Sequence, residues 1–225
     1  MTVSKHILVI GGGPAGIQAA LAAAEQGQRA TLVSDGPPGG RAVWRTLLPS
    51  KMWLEARQPL NLKEMYARYE RVAGDWQRQM MNDLERAGVE IRLGVASFLS
   101  PHAVQVRPPE GGYTDQIEAD SIILATGSEP FIPPGMQPDG ERIFIPGMVW
   151  RIPALPRSMI VVGAGGPATE YVDAFSRLGV QVTWITGPVA ALSAYPQEVG
   201  RFITGLMERR GVRMVTGLMA REVTR

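Results

Sequence analysis

Residues 7–35 read ILVIGGGPAGIQAALAAAEQGQRATLVSD, and this stretch decides the fold. Ile7–Ile10 is a short apolar, β-branched run, which favours a buried strand. Gly11, Gly13 and Gly16 then fall in Gly-x-Gly-x-x-Gly spacing. A helix with small residues along one face follows, stops at Gly27 and gives way to a second strand. Strand, glycine turn, helix and strand make a βαβ unit.

The pattern recurs once. Residues 159–187 read MIVVGAGGPATEYVDAFSRLGVQVTWITG. Gly11 corresponds to Gly163, Gly13 to Gly165, Gly27 to Gly179 and Thr31 to Thr183, always at the same offset. The expected architecture is therefore α/β, with two Rossmann-like βαβ dinucleotide-binding domains. The first is expected over 1–150. The second, over 151–225, is only part of such a domain.

Between the repeats, Leu62–Ala87 has helical spacing and ends before Gly88. Val89–Leu93 reads as a strand. Val104–Arg107 and Tyr113–Ile117 read as two arms of a hairpin. Ser121–Ala125 reads as a buried strand. Residues 129–158 carry prolines at 130, 133, 134, 138, 146, 153 and 156, too many for a helix or central strand, and mark the crossing between domains. A helix around Glu198–Arg210 and a strand over Val212–Thr216 close the reading.

Composition removes several function classes. The chain is 45% hydrophobic and 20% charged, so it buries a core. Its 23 Lys+Arg and 21 Asp+Glu are too balanced for an electrostatic nucleic-acid binder. It has no cysteine, which excludes thiolate chemistry and thiolate metal sites, and only two histidines, His6 and His102, so no metal centre is expected. Both histidines read as solvated, and Trp184 as core. No run approaches the roughly 18–20 apolar residues of a membrane-spanning helix. The expectation is a cytoplasmic protein.

Each glycine of the first loop has a physical task. Gly11 permits the tight turn, Gly13 lets the backbone approach a pyrophosphate, and Gly16 lets helix and strand pack closely. Pro14 and Ala15 open the helix, whose N-terminal N–H groups and dipole favour phosphate. The second loop is Gly163-x-Gly165-x-x-Ala168, with Gly166 and Pro167 at its helix start. Dinucleotide sites place an acid at the end of the second strand to bind ribose hydroxyls. Ser34 stands there in the first copy, with Asp35 beside it. Thr186 stands there in the second, with neither an acid nor a nearby arginine. The second loop thus lacks the group that selects NAD or NADP, and weak nicotinamide binding is expected.

Four segments in order resemble the FAD-dependent pyridine nucleotide–disulfide oxidoreductases, the family of dihydrolipoamide dehydrogenase, glutathione reductase and mercuric reductase. They are GGGPAG (11–16), GGRAVWRTLLPSK (39–51), ILATGSEPFIPPG (123–135) and VVGAGGPATE (161–170). The resemblance implies FAD at the first loop and NAD(P)H at the second. It adds Gly40, Arg41, Ala96, Ala125, Thr126 and Gly127 to the flavin-binding set. It also implies that Lys51 and Glu170 form an ion pair beside the flavin N5, from either side of the expected domain boundary. Trp44 either lies against the flavin or fills space among altered neighbours.

Departures from the family matter equally. Ala42 and Leu47 stand where the family has its redox cysteines, so thiol–disulfide exchange is not expected. Gly166 stands where the family often has a tyrosine. The family's C-terminal interface domain, with its catalytic His and Glu, is absent from this sequence. The resemblance implies an FAD-dependent oxidoreductase that takes hydride from NAD(P)H. Its electrons would leave to a non-disulfide acceptor such as a quinone, oxygen or a protein partner. A second polypeptide could supply the missing half. The rival reading is a catalytically inactive dinucleotide-fold subunit or fragment with a binding or assembly role.

Overall fold

The structure is a computed structural model that describes residues 4–112, 114–187 and 191–223. The chain divides into two compact units. The first holds residues 1–44 and 70–129, the second 45–69 and 130–225.

In the first unit, β1 (His6–Ile10), β2 (Arg29–Ser34), β3 (Glu90–Leu93) and β7 (Ser121–Leu124) form a parallel sheet in the order β3-β2-β1-β7. Register pairs Ile7 with Ala30 and, across the other edge of β1, Ile7 with Ser121. Helix α1 (Pro14–Glu25) returns the chain from β1 to β2. Its buried Gly16, Ile17 and Ala20 form the small-residue face that lets it lie close to the sheet. Val9, Ala30 and Leu32 pack against this face, with Leu84 from the helix α4 (Leu62–Arg86). Helix α4 is counted with the second unit as far as Tyr69 and with the first beyond it.

The other sheet face, with Leu8 and Val33, packs against an antiparallel meander. Its strands are β4 (Val95–Ser100), β5 (Ala103–Arg107) and β6 (Asp115–Glu118), in the order β4-β5-β6. Strands β5 and β6 are the expected hairpin, although Tyr113 lies outside the described residues. Strand β4 gives no clear alternation in its sequence, VASFLS, and was not expected.

Two expectations are corrected here. Ser121–Ala125 is not a buried strand. Among the described residues β7 pairs with β1 alone, and as an edge strand it leaves Leu124 62% exposed. His6 is half-buried and tied by hydrogen bonds rather than free in solvent. Its Nδ1 lies 2.7 Å from the Glu118 carbonyl oxygen and its Nε2 2.8 Å from Thr31 Oγ1. The carbonyl can only accept, so Nδ1 donates. The Thr31 hydroxyl donates to Glu90 Oε2 at 3.2 Å, and Arg29 and Arg92 both pair with the same carboxylate. Polar side chains at the start of β1, β2 and β3 thus tie the parallel sheet to β6. His102 is exposed as expected, with its Nδ1 3.2 Å from the Ala119 carbonyl oxygen.

In the second unit, β8 (Ser158–Val162), β9 (Gln181–Gly187) and β10 (Arg213–Thr216) form a parallel sheet in the order β10-β9-β8. Helices α5 (Gly166–Arg177) and α6 (Gln197–Arg209) complete the expected elements. Phe175, Val182, Trp184 and Met207 share the core. Trp184 is fully buried as expected, and its indole Nε1 donates to the Gly163 carbonyl at 2.7 Å. Residues 129–157 are irregular apart from a short 3-10 helix, Pro146–Arg151.

The segment 39–51, a motif without a predicted element, forms two short helices. They are α2 (Gly40–Trp44) in the first unit and α3 (Leu47–Glu55) in the second. Trp53 of α3 is fully buried in the second core. Its ring centroid lies 5.0 Å from that of Phe175 on α5, and its Nε1 donates to the Val149 carbonyl at 3.1 Å. Truncating such a tryptophan typically costs about 3–5 kcal/mol. Arg177 Nη2 adds a bond to the Leu54 carbonyl at 2.8 Å. Packing of this kind holds α3 against α5.

Candidate functional site

The first glycine loop lies between β1 and α1. Gly11 has φ +118°, and a Cβ there would sit 2.2 Å from the Ala125 carbonyl oxygen. Only glycine meets both conditions. A Cβ on Gly16 would lie 1.8 Å from the Gly11 carbonyl oxygen, so its absence is what lets α1 approach the turn. No atom lies within 4 Å of a Cβ built on Gly13. The loop is therefore close-packed at its first and third glycines and open above its second, which is the shape a pyrophosphate cradle requires. Pro14 occupies the first turn of α1, where its missing N–H costs nothing, and Ala15 follows it. No acidic side chain stands in that turn.

Two other segments converge on this loop. Gly39 N donates to the Gly12 carbonyl at 2.9 Å, and a Cβ on Gly40 would lie 2.9 Å from Gly13 Cα. Ala125 N donates to the Ile10 carbonyl at 2.8 Å, which brings Ala125, Thr126 and Gly127 alongside. Arg41 is ion-paired with Glu129. Glu129 was not singled out from the sequence, although it lies only two positions beyond Gly127. Trp44 is half-buried and its Nε1 donates to the Pro38 carbonyl at 3.3 Å.

At the end of β2, the Ser34 side chain is buried and its hydroxyl donates to the Gly36 carbonyl at 2.8 Å. Asp35 is exposed. Of the two, the carboxylate is the exposed group. Ala96 on β4 packs into the core between meander and sheet.

The second loop is looser. Gly163 has φ +132°, but a Cβ there would meet only the Ala168 Cβ, at 3.7 Å. This spacing explains why alanine is accommodated at the third position. No atom lies within 4 Å of a Cβ built on Gly166, and Gly165 meets only Pro167 Cδ at 3.8 Å. Leu192 N donates to the Ala164 carbonyl at 2.6 Å. Thr186 is only 4% exposed, and its hydroxyl has no hydrogen-bond partner among the described residues. Its side chain is buried rather than presented at the surface.

Lys51 on α3 and Glu170 on α5 form an ion pair. Residues 45–69 cluster with the second unit, so both partners lie in one unit rather than on either side of a boundary. Next to Glu170, the Tyr171 hydroxyl donates to the Pro146 carbonyl at 3.1 Å. Burial, reinforced by the Glu170 charge, raises the Tyr171 pKa well above the ordinary phenol value. Tyr66 is likewise pushed up to about 12 by burial, partly offset by Arg151, and its hydroxyl donates to the Ile152 carbonyl at 2.7 Å. Both phenols act as protonated donors that pin backbone. Among the described residues no cluster of His, Asp and Glu could hold a metal ion, and no helix is long and apolar enough to cross a membrane.

Two βαβ units, each with a glycine loop at the N-terminus of its first helix, define a protein of the two-dinucleotide class. The sequence model of the pyridine nucleotide-disulphide oxidoreductase family matches residues 5–225. The chain belongs to this family, whose members are oxidoreductases that bind FAD and NAD(P). It is 32% identical to an NAD(P)H dehydrogenase (quinone) of Mycobacterium tuberculosis, across 98% of this chain and 50% of that protein. It is 29% identical to the dihydrolipoyl dehydrogenase of Bacillus subtilis, across 93% of this chain and 50% of that one. The crystal structure of LpdA from Mycobacterium tuberculosis superposes with a TM-score of 0.89 at 30% identity, over 99% of this chain and 53% of that chain. The chain therefore spans about half the length of the curated relatives it matches.

Proposed function

We propose that this chain carries the flavin-binding and part of the nicotinamide-binding machinery of an NAD(P)H-dependent flavin oxidoreductase. Its electrons pass to an acceptor that is not a disulfide. The observation that carries the reading is the first glycine loop, where Gly11 and Gly16 are sterically obligatory and the space above Gly13 is open. In this reading Gly11, Gly13, Pro14, Ala15 and Gly16 hold the FAD pyrophosphate, and Asp35 meets the ribose. Bound FAD would supply hydride acceptance and onward electron transfer. Lys51, oriented by Glu170, would place positive charge where the reduced flavin becomes anionic. Disulfide chemistry is left out because Ala42 and Leu47 occupy the cysteine positions and the chain has no cysteine elsewhere. The relative named as a quinone dehydrogenase makes a quinone the first acceptor to try.

The test is a visible absorption spectrum of the purified chain after incubation with excess FAD and gel filtration. Bands near those of protein-bound flavin are expected, followed by bleaching with NADH or NADPH and recovery on adding a quinone. A colourless protein would overturn the reading. One observation favours a second reading, a subunit with a binding or assembly role completed by another polypeptide. The buried Thr186 hydroxyl offers nothing to a nicotinamide ribose. Flavin retention without any reduction by NADH or NADPH would select this alternative.

A further inference from the structure

We propose that Arg41 and Glu129 form an anion latch on the first glycine loop, in which the Glu129 carboxylate competes with the FAD pyrophosphate for the Arg41 guanidinium. The inference rests on the reading of that loop as the flavin pyrophosphate site.

Three segments meet at the loop: residues 7–16, residues 36–44 and residues 121–129. Backbone bonds from Gly39 to Gly12 and from Ala125 to Ile10 join them. Within these segments the only charged side chains are Arg41 and Glu129. Arg41 is the cation these segments supply and Glu129 the anion, and the two are ion-paired. Gly40, the residue before Arg41, comes so close to Gly13 that a Cβ would lie 2.9 Å from its Cα. The backbone that carries Arg41 is therefore fixed against the open glycine.

The two partners are unequally held. The Arg41 side chain is 28% exposed and that of Glu129 78%. Glu129 can turn into water at little cost, while Arg41 stays near the loop. An ion pair this exposed is weakly held, because water screens both charges. A guanidinium gains more from a pyrophosphate, which accepts two parallel N–H bonds and carries more charge than a carboxylate. Exchange of Glu129 for the cofactor is thus favourable, but the carboxylate lowers the apparent affinity for FAD. The latch makes flavin loading depend on a residue that need not touch the flavin.

The experiment is an equilibrium FAD titration, read by flavin fluorescence, of the full chain and its Glu129→Gln, Arg41→Gln and doubly substituted forms, with thermal melts to verify folding. Glu129→Gln is expected to tighten binding up to about fivefold, the equivalent of releasing the pair. Arg41→Gln is expected to weaken it about tenfold or more. In the Arg41→Gln background, Glu129→Gln should have no further effect. Arg41→Lys, which keeps the charge but loses the fork, should fall between wild type and Arg41→Gln. An equal gain from Glu129→Gln with and without Arg41 would overturn the latch, because Glu129 would then act on FAD directly. Unchanged affinity in Arg41→Gln would also overturn it and leave the glycine-loop reading standing. Failure of all the folded proteins to bind FAD would remove both.

Discussion

Lys51 on α3 is ion-paired with Glu170 on α5, although the two residues are 119 positions apart in sequence. The pair is held by the packing behind it, where the Trp53 ring lies tilted against Phe175 and Arg177 bonds the Leu54 carbonyl. Its side chains remain 45% and 32% exposed, so the pair itself contributes little to stability, about 0–1 kcal/mol. Lys51→Met should therefore shift the unfolding free energy by less than about 1 kcal/mol. If the lysine serves the reduced flavin, the same change should slow reduction of bound FAD by NADH at least about tenfold, or about 1.4 kcal/mol in barrier. Stopped-flow bleaching of the flavin band measures the second effect and urea denaturation the first. A large loss of stability with unchanged reduction would assign the pair to structure alone.

The two glycine loops should respond oppositely to a methyl group. Gly16→Ala places a Cβ 1.8 Å from the Gly11 carbonyl oxygen, a backbone atom that cannot move without opening the turn. A cost of about 1–3 kcal/mol and loss of FAD binding are expected. Gly166→Ala meets no atom within 4 Å and lies at the start of α5, so it should be neutral or stabilising by up to about 1 kcal/mol. Paired thermal melts and FAD titrations check both. Retained flavin affinity in a folded Gly16→Ala chain would show that the close approach of α1 is not needed for the cradle.

Both βαβ units could be read from sequence because their signals are local. Glycine spacing, an apolar run before it and a helix-stopping glycine after it all fall within about thirty residues. Strand β4 and helices α2 and α3 could not be read this way. The segment VASFLS does not alternate, because its pairing with β5 rather than its own pattern makes it a strand. Helix α3 is anchored by Trp53 in the second core, a long-range contact that spacing does not encode. His6 was misread for the same reason, since its partners Thr31 and Glu118 come from different strands. The Lys51–Glu170 pairing is legible only through family resemblance, and Glu129 carries no local signal because it meets Arg41 only where separate segments converge on the loop.

Glu90 should make the first unit acid-sensitive. Burial alone would raise its pKa, but the Arg29 hydrogen bond, the Arg92 charge and the Thr31 hydroxyl outweigh it and hold the carboxyl below its usual range. A carboxyl whose pKa is lower folded than unfolded contributes stability fully above its unfolded pKa, about 4.3. That contribution is lost as pH falls toward the folded value. Urea midpoints measured from about pH 7 down to about pH 3 should therefore fall for wild type, and fall less steeply for Glu90→Gln. Parallel curves for the two proteins would show that the carboxylate is not linked to folding.

Thr186 offers the sharpest test of the second loop. Its hydroxyl is buried at the end of β9, with no hydrogen-bond partner among the described residues. A buried hydroxyl without a partner carries a desolvation penalty of about 1–3 kcal/mol. Valine has nearly the same shape and no polar group to desolvate. Thr186→Val should therefore stabilise the second unit by about 1 kcal/mol and leave NADH and NADPH affinities where they were. If the hydroxyl instead met the nicotinamide ribose, losing it would weaken binding by about fivefold or more. Titrations of both proteins with both nucleotides, alongside thermal melts, separate the outcomes. Higher stability with unchanged binding would place nucleotide recognition on the glycine-loop backbone, with no help from the strand end. Weaker binding in Thr186→Val would mean that the strand end reorients when the nucleotide arrives.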